Sequence, residues 1–372
     1  MNKLDLNTDA TAQDVRQIVG RLLLNGVEVP FYSCDVDSNA FYSADTFSVV
    51  FVLSDMQPPY NTVKWWGDQT AIEVSISIGV IGQGITDWRT LIVGGVDRLK
   101  IRLAKREVSV EGRDYTSRFI DTKTNEKFSG QTTSEVATLL AKRRGLTPVV
   151  TATKTKVGDI TKWDHAHVTD ERTEWDLLAY LAGLDGFQVY VTGDELHYEP
   201  ALDPATTDQY LIRWVEPGLL AYPQSNTSDD LEFERDLTIA KGVTVQVISY
   251  KDGKTYTATF PNNSAKGIAP GQSTSKRQVY EIKRNGLDLN QAQQLAQKIH
   301  KQITDHEMRL SCSMPGDNSL MPNTIVRQEG TGSGFDQLYY VDAVRRSLSF
   351  ESGYTMSLTA KNHNPNSLQV AP

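Results

Sequence analysis

Apolar and polar positions alternate with a period of two through most of this chain. In "DTFSVVFVLSD", Phe47, Val49, Phe51 and Leu53 share one parity. In "TAIEVSISIGV", Ile72, Val74, Ile76 and Ile78 point one way and Glu73, Ser75 and Ser77 the other. The closing stretch repeats the pattern with Tyr354, Met356, Leu358 and Ala360. Such alternation predicts antiparallel strands with one buried face. Asn25-Gly26, Gly193-Asp194 and Asp252-Gly253 fall between apolar runs and predict hairpins, because the favoured two-residue turns need positive φ. The stretch "DMQPPYNTVKWWGDQ" reads as a loop broken by Pro58 and Pro59.

Three segments change to helical spacing. "TTSEVATLLAKRRGL" has Thr132 as N-cap and Glu135 three residues later, a capping box, with Val136, Leu139 and Leu140 as its apolar stripe and Gly145 as its stop. "TEWDLLAYLAGLDG" starts at Thr173 and is expected to bury Leu177, Leu181 and Leu184. "DLNQAQQLAQKIHKQITDH" carries Leu295, Ile299 and Ile303 on one face. The predicted fold is mainly β with α+β inserts. A first β domain spans 1–112 and an α+β insert 113–200. A second β domain is formed by 201–240 and 306–364, interrupted by a hairpin-plus-helix insert at 241–305. Residues 365–372 form a tail.

At 372 residues the chain is long enough for more than one core. Its formal net charge of −8 argues against a surface built to grip phosphates. Cys34 and Cys312 lie far apart in strand-like stretches and read as buried small apolar residues, not as a disulfide framework. The first residues, "MNKLDLNTDATAQD", lack the apolar core of a signal peptide, and no apolar run reaches the roughly 18 residues of a membrane helix. No membrane insertion is expected.

The candidate chemistry is thin. "KWDHAHVTDERTEWDLL" gathers His165 and His167 beside Asp164, Asp170 and Glu171. A zinc site needs three or four converging ligands. In an extended segment the two histidines share a face from which Asp164 points away. The acids sit just ahead of a helix start, where carboxylates complement the dipole, so this stretch reads as a polar lead-in. "GTGSG" (330–334) lacks the Lys-Ser/Thr of a phosphate loop, and "GVIGQG" (79–84) does not fit the dinucleotide pattern. Both read as turns. Trp65, Trp66, Trp88, Trp163, Trp175 and Trp214 either fill cores between sheets or serve an interface. No catalytic, cofactor-binding or metal-binding residues are assigned. A carboxylate pair for glycoside hydrolysis stays open, since it leaves no local signature.

One internal similarity stands out. "VDRLKIRLAKREVSVEGRD" (96–114) and "VDAVRRSLSFESGYTMSLTAKN" (341–362) both open on Val-Asp, alternate, break at a short polar turn and alternate again. Two related β domains in one chain follow if the repeat is real.

The ordered motifs "VSVEGRDYTSRFID", "LAKRRGL" and "TEWDLLAYLAGLDGFQVYVTGDELHYEP" resemble the bacteriophage tail baseplate hubs of the late control protein D family, related to the hub half of type VI secretion spikes. Gly112, Arg113, Asp114, Gly145, Leu146, Trp175, Leu178, Gly186 and Phe187 carry the match, and the C-terminal hairpin adds to it. The resemblance implies two tail-tube-like antiparallel β-barrel or sandwich domains interrupted by smaller α+β domains. It implies a homotrimeric structural hub of the virion baseplate, assembled in the host cytoplasm, with no enzymatic activity and no cofactor. Such a ring adapts a hexameric tail tube to a trimeric spike or tip. Its expected partners are tail tube or distal tail proteins and the spike, with tape-measure and baseplate wedge proteins further possibilities. DNA would pass through its channel without specific binding. Arg113 and Asp114 would form a polar joint, a local ion pair between β domain and insert. Two alternatives stay open: a tail-associated cell-wall or carbohydrate-active enzyme, and a β-rich binding protein unconnected with tails.

Overall fold

The computed structural model describes residues 17–40, 43–82, 85–124, 126, 128, 130–157, 172–203, 207–216, 225–228, 230–240, 242–261, 278–304, 307–322 and 324–362. The fold is mainly antiparallel β, with few helices. The chain divides into two compact units. The first comprises Met1–Tyr210, Ser313–Thr324 and Val341–Leu358, and the second Leu211–Cys312, Ile325–Tyr340 and Thr359–Pro372.

The first unit opens with β1 (Gln17–Leu24), β2 (Val27–Glu28), β3 (Ser33–Asn39) and β4 (Thr46–Val52), then α1 (Val63–Asp68), β5 (Glu73–Gly82), β6 (Ile85–Arg102) and β7 (Glu107–Asp114). The insert follows: α2 (Ser117–Ile120), β8 (Lys123–Thr124), α3 (Thr133–Arg143), β9 (Thr147–Val150), β10 (Arg172–Thr173), α4 (Glu174–Asp185), β11 (Phe187–Thr192) and β12 (Glu195–Pro200). The remaining elements are β13 (Gln209–Arg213), β14 (Glu232–Arg235), α5 (Leu237–Ala240), β15 (Val243–Lys251), β16 (Lys254–Phe260), β17 (Gln278–Lys283), α6 (Leu289–Thr304), β18 (Met308–Pro315), β19 (Ile325–Glu329), β20 (Leu338–Ser349) and β21 (Gly353–Lys361).

In the first unit the strands run in the order β21-β20-β3-β4-β7-β6-β5-β1-β2. The expected alternation is what buries them: Phe47, Val49 and Phe51 from β4, Val108 and Val110 from β7, and Val74, Ile76 and Ile78 from β5 share one core. Asn25 and Gly26 turn the β1–β2 hairpin with φ of 48 and 82°. The stretch read as a loop after β4 instead contains α1. Its N-cap Thr62 accepts a hydrogen bond from Trp65 N, and Trp66 is fully buried against Phe51, ring centroids 5.4 Å apart. Six residues are too few to show helical periodicity, and one buried tryptophan holds the turn in place.

The insert packs α3 and α4 on a three-stranded sheet in which β11 is antiparallel and β9 parallel to β12. The capping box at Thr132 and Glu135 forms as expected, and a second one joins Thr173 to Asp176. Gly186 closes α4 with φ 71°. Two helix faces differ from expectation. Leu139 and Leu184 are 37% and 36% exposed, while Ala137, Ala141, Leu178 and Ala182 are fully buried. Small alanines let the helices lie close, and close packing moves the buried stripe one position around.

In the second unit β14 pairs with β18, and β19 lies between β13 and β20. A separate sheet, β16-β15-β17, is covered by α6. Asp252 and Gly253 make its hairpin turn with φ of 51 and 75°.

Candidate functional site

β7 ends in Gly112-Arg113-Asp114, the point where the sheet hands the chain to the insert. A Cβ on Gly112 would lie 2.1 Å from the Gly95 carbonyl oxygen and 2.5 Å from the Phe47 ring, so only glycine fits. The strands β6 and β7 shift register beside it, between Val96 and Arg98. The next two residues are polar and form a joint, but not with each other. Arg113 donates to both oxygens of Asp97 at 2.6 and 3.0 Å and to both of Asp121 at 3.1 and 2.9 Å. Asp97 belongs to the sheet and Asp121 closes α2, so one guanidinium fastens sheet to insert. These two carboxylates raise the Arg113 pKa further. The expected Arg113–Asp114 ion pair is replaced by this arrangement because alternation sends the two side chains to opposite faces.

Asp114 goes inward and is 5% exposed. It accepts from the Thr116 hydroxyl at 2.7 Å and the Thr116 amide at 3.2 Å, and its own amide donates to the Asp45 carbonyl at 3.0 Å. Burial pushes its carboxyl up to about 8, with the Asp45 charge adding to the rise. Burial also pushes Asp45 up to about 7, against hydrogen bonds from the Asn39 amide and Ser38. Asp45 keeps part of its surface; Asp114 is the more enclosed and carries the larger rise. Two interacting carboxyls of this kind titrate as a pair and retain a proton at neutral pH. Both line a cleft of about 130 Å3 between the sheet, Trp175 of α4 and the β11–β12 hairpin.

The solvent face of β20, β3, β4, β7 and β6 forms a shallow groove of about 440 Å3. Although the chain as a whole is acidic, this face is charge-balanced. Arg98 faces Glu111 at 3.3 Å and Arg345 faces Asp35 at 3.5 Å, Arg102 is paired with Glu107, and Arg113 holds Asp97. Cross-strand pairs on an exposed face stabilise little. Their effect is to leave few cations free to hold a polyanion.

The remaining sequence motifs that fall among the described residues show no reaction centre. His165, His167, Asp164, Asp170 and Glu171 lie outside the described residues. The amides of the 330–334 turn are occupied internally: Asp336 accepts from Thr331 N, Thr331 Oγ1 and Gly332 N at 3.0, 2.8 and 2.8 Å. The carboxylate sits where a phosphate would have to bind. Residues 79–82 are strand, paired with β6. Cys34 and Cys312 are buried, and burial pushes both thiols up to about 12. Among the described residues, no group of three or more His, Cys, Asp and Glu is placed to hold a metal ion, and no helix is long and apolar enough to cross a membrane. Sequence reasoning missed Asp45, whose only signal was a carboxylate directly before a strongly apolar strand. It also missed the buried Glu174, which Arg144 holds at 2.6 and 2.7 Å.

No protein-family model matches the chain, and no curated protein does. Solved structures do. A tail protein from Neisseria meningitidis superposes with a TM-score of 0.64 at 17% identity, covering 93% of this chain and 96% of that one. The 43 kDa tail protein of prophage MuSo2 from Shewanella oneidensis gives 0.61 at 14% identity, over 95% and 99%. The chain has the fold of a phage tail protein. The same fold extends to an E. coli component of the type VI secretion system, itself structurally similar to T4 bacteriophage tail proteins, with a TM-score of 0.53 at 10% identity over 94% and 79%.

Proposed function

We propose that this chain is the structural hub of a phage or phage-like tail, a homotrimeric ring at the baseplate that adapts a hexameric tube to a trimeric spike or tip. The observation that carries the reading is the near end-to-end correspondence with tail proteins, over 90% or more of both chains. In this reading each chain carries two tail-tube-like β domains, so that three copies present six similar units. The work is done by β surfaces, without bond-making, and DNA or a tape-measure protein passes through the ring. The charge-balanced sheet face supports passage without capture, because its arginines already have carboxylate partners.

The test is the mass of the purified chain together with imaging of the assembled tail. The expected result is a species three times the 41.4 kDa of one chain, and a three-fold layer with an open centre beneath a six-fold tube. A layer without three-fold symmetry overturns the hub reading. Incubation with peptidoglycan is expected to release no fragments; turnover abolished by a point substitution would favour a tail-borne hydrolase.

A further inference from the structure

The inward face of the first unit's sheet changes character in its last row. Asp114 follows the inward positions Val108, Val110 and Gly112 of β7, Asp45 precedes Phe47, Val49 and Phe51 of β4, and Ser38 follows Cys34 and Val36 of β3. The ladders set these three polar residues side by side: the Asp114 amide donates to the Asp45 carbonyl, and Ser38, 3% exposed, donates to the Asp45 side chain. One row further in, Arg346 of β20 lies opposite Val36, which faces Phe47. Arg346 is 2% exposed and points the same way as the two acids.

The segment Gly316–Pro322 straps across this corner, and its two halves are fastened differently. In the first half Gly316 N donates to Tyr354 O at 2.9 Å, Asn318 Nδ2 to Ile78 O at 2.9 Å, and the Tyr354 hydroxyl to Asn318 Oδ1 at 3.0 Å. The second half meets the sheet through Arg346, which donates to Leu320 O and, at 3.4 and 3.5 Å, to Asp317 O. The contacts to Asp317 O are at the long limit of a hydrogen bond. A buried guanidinium is best compensated by a carboxylate, and here it meets the strap through backbone carbonyls. Just beyond, Met321 and Pro322 form part of the wall of the cleft that Asp45 and Asp114 line.

We propose that this strap is a proton-operated flap: with a proton held between Asp45 and Asp114 it lies closed on the cleft, and with both carboxyls ionised it loosens between Leu320 and Pro322. Two charges in a cleft walled by Leu91, Ile92, Trp175, Met321 and Pro322 need water or a cation. Both demands act on the strap. Water enters where Met321 and Pro322 close the wall, and the negative pair draws the Arg346 guanidinium away from the Leu320 and Asp317 carbonyls. The charged groups around the pair favour this direction. Asp37 of β3 adds negative charge, Arg346 supplies the opposing positive charge, and β11 contributes only the Tyr190 phenol; Arg346 in turn faces Asp317, Tyr210 and Tyr354. Burial pushes the Asp45 carboxyl up to about 7 and that of Asp114 up to about 8, so the change falls between neutral and mildly alkaline pH. The closed form binds the extra proton, and closure therefore strengthens as pH falls. The flap operates within one chain and is independent of the hub reading.

The test is amide exchange of the 316–324 peptide in the full chain from pH 6 to pH 9, corrected for the intrinsic base catalysis of exchange. Protection of the strap is expected to fall about tenfold or more across the range, one unit of raised acidity being a factor of ten. The peptide carrying Val136 and Leu140 of α3 is expected to keep its protection. Asp45→Asn, which stays neutral and can still accept from the Asn39 amide, is expected to hold the strap closed at every pH. Arg346→Gln keeps a donor for the carbonyls but gives the pair no cation to draw, and is expected to weaken the dependence. A strap that stays protected to pH 9, or that loses protection equally in Asp45→Asn, overturns the inference. So does a loss shared with α3, because the unit would then be opening as a whole. An undiminished dependence in Arg346→Gln overturns the arginine's part in it; should that variant fail to fold, Asp45→Asn decides alone.

Discussion

The insert (115–200) and the segment 243–304 use similar parts and hold them together differently. Each builds a three-stranded sheet from a hairpin and one parallel strand, with helix packed on it. The insert fills its core with Phe119, Phe128, Trp175, Leu178, Leu181 and Tyr198, all nearly or fully buried. The segment's buried core is Val243, Val245, Val247, Ala258, Ala292 and Ala296, with Leu295, Ile299 and Ile303 only partly covered. Polar locks follow the same contrast. In the insert Arg144 grips the buried Glu174, and Asp185 accepts from Thr133 and Tyr198, both at 2.6 Å. In the segment one buried serine, Ser249, bridges the backbone of Leu287. The insert's core is the larger and more aromatic of the two, and the segment's helix is anchored mainly by Ala292 and Ala296.

The largest expected difference comes from the cores. Leu178→Ala removes a fully buried side chain and is expected to cost about 3 kcal/mol, whereas Leu295→Ala, already partly in water, is expected to cost about 1. Hydrogen exchange followed peptide by peptide reads each region separately. Equal losses at the two sites would erase the contrast.

The buried ion pair comes next. Glu174 is 1% exposed and Arg144 keeps a quarter of its side chain in solvent. Glu174→Ala is expected to cost about 2–3 kcal/mol, below the figure for a fully buried pair because Arg144 can rehydrate. Urea midpoints of the variant and of Arg144→Ala check it, and the double variant is expected to lose less than the sum of the two.

Acidity separates the regions by sign. Asp114 and Asp45, at the insert's attachment, have folded values raised to about 8 and about 7. Their stabilising contribution is complete below the ordinary carboxylate range and is lost as pH rises through 7 to 8. In α6, burial lowers His300, which stacks edge-on against Phe260 at 5.0 Å. A lowered histidine contributes stability above its ordinary value near 6.5, lost as pH falls through the lower folded value. On going from pH 8 to pH 5 the attachment of the insert is expected to gain exchange protection while α6 loses it. Asp114→Asn is expected to flatten the first trend, and His300→Phe the second. Parallel trends in both regions would show that the local environments do not govern them.

How much of this was legible in the sequence depends on the range of the cause. Parity along β4, β5 and β21 and the turn pairs at Asn25-Gly26 and Asp252-Gly253 are local, and they read correctly because backbone geometry alone requires them. The capping box at Thr132 is equally local. Leu139 and Leu184 misled because which leucines a helix buries depends on how closely its neighbours approach, and Ala137 and Ala141 set that distance. The Asp114–Asp45 pair joins residues brought together only by the β4–β7 ladder, which could not be seen before the fold. Arg113 was visible as a joint, but its partners Asp97 and Asp121 were not.

Helix caps give the smallest and most local test. Thr132 accepts from the Glu135 amide while Glu135 accepts from the Thr132 amide; Asp288 and Gln291 form the same reciprocal pair at the start of α6, at 2.8 and 3.0 Å. Each cap is expected to contribute about 1 kcal/mol, so Thr132→Ala and Asp288→Ala should look alike in global unfolding. Their local consequences should differ. Behind Thr132 stand Val136, Ala137 and Leu140, all fully buried, so the loss is confined to the first turn. Behind Asp288 stands Leu289, which is 51% exposed, and the first buried anchor is Ala292. The first turn of α6 therefore has little besides its cap to keep it wound, and Asp288→Ala is expected to open amide exchange as far as Ala292, with Asp288→Asn restoring most of the protection. An opening of the same length in α3 would mean that helix ends in both regions are governed by their caps alone, whatever lies beneath them.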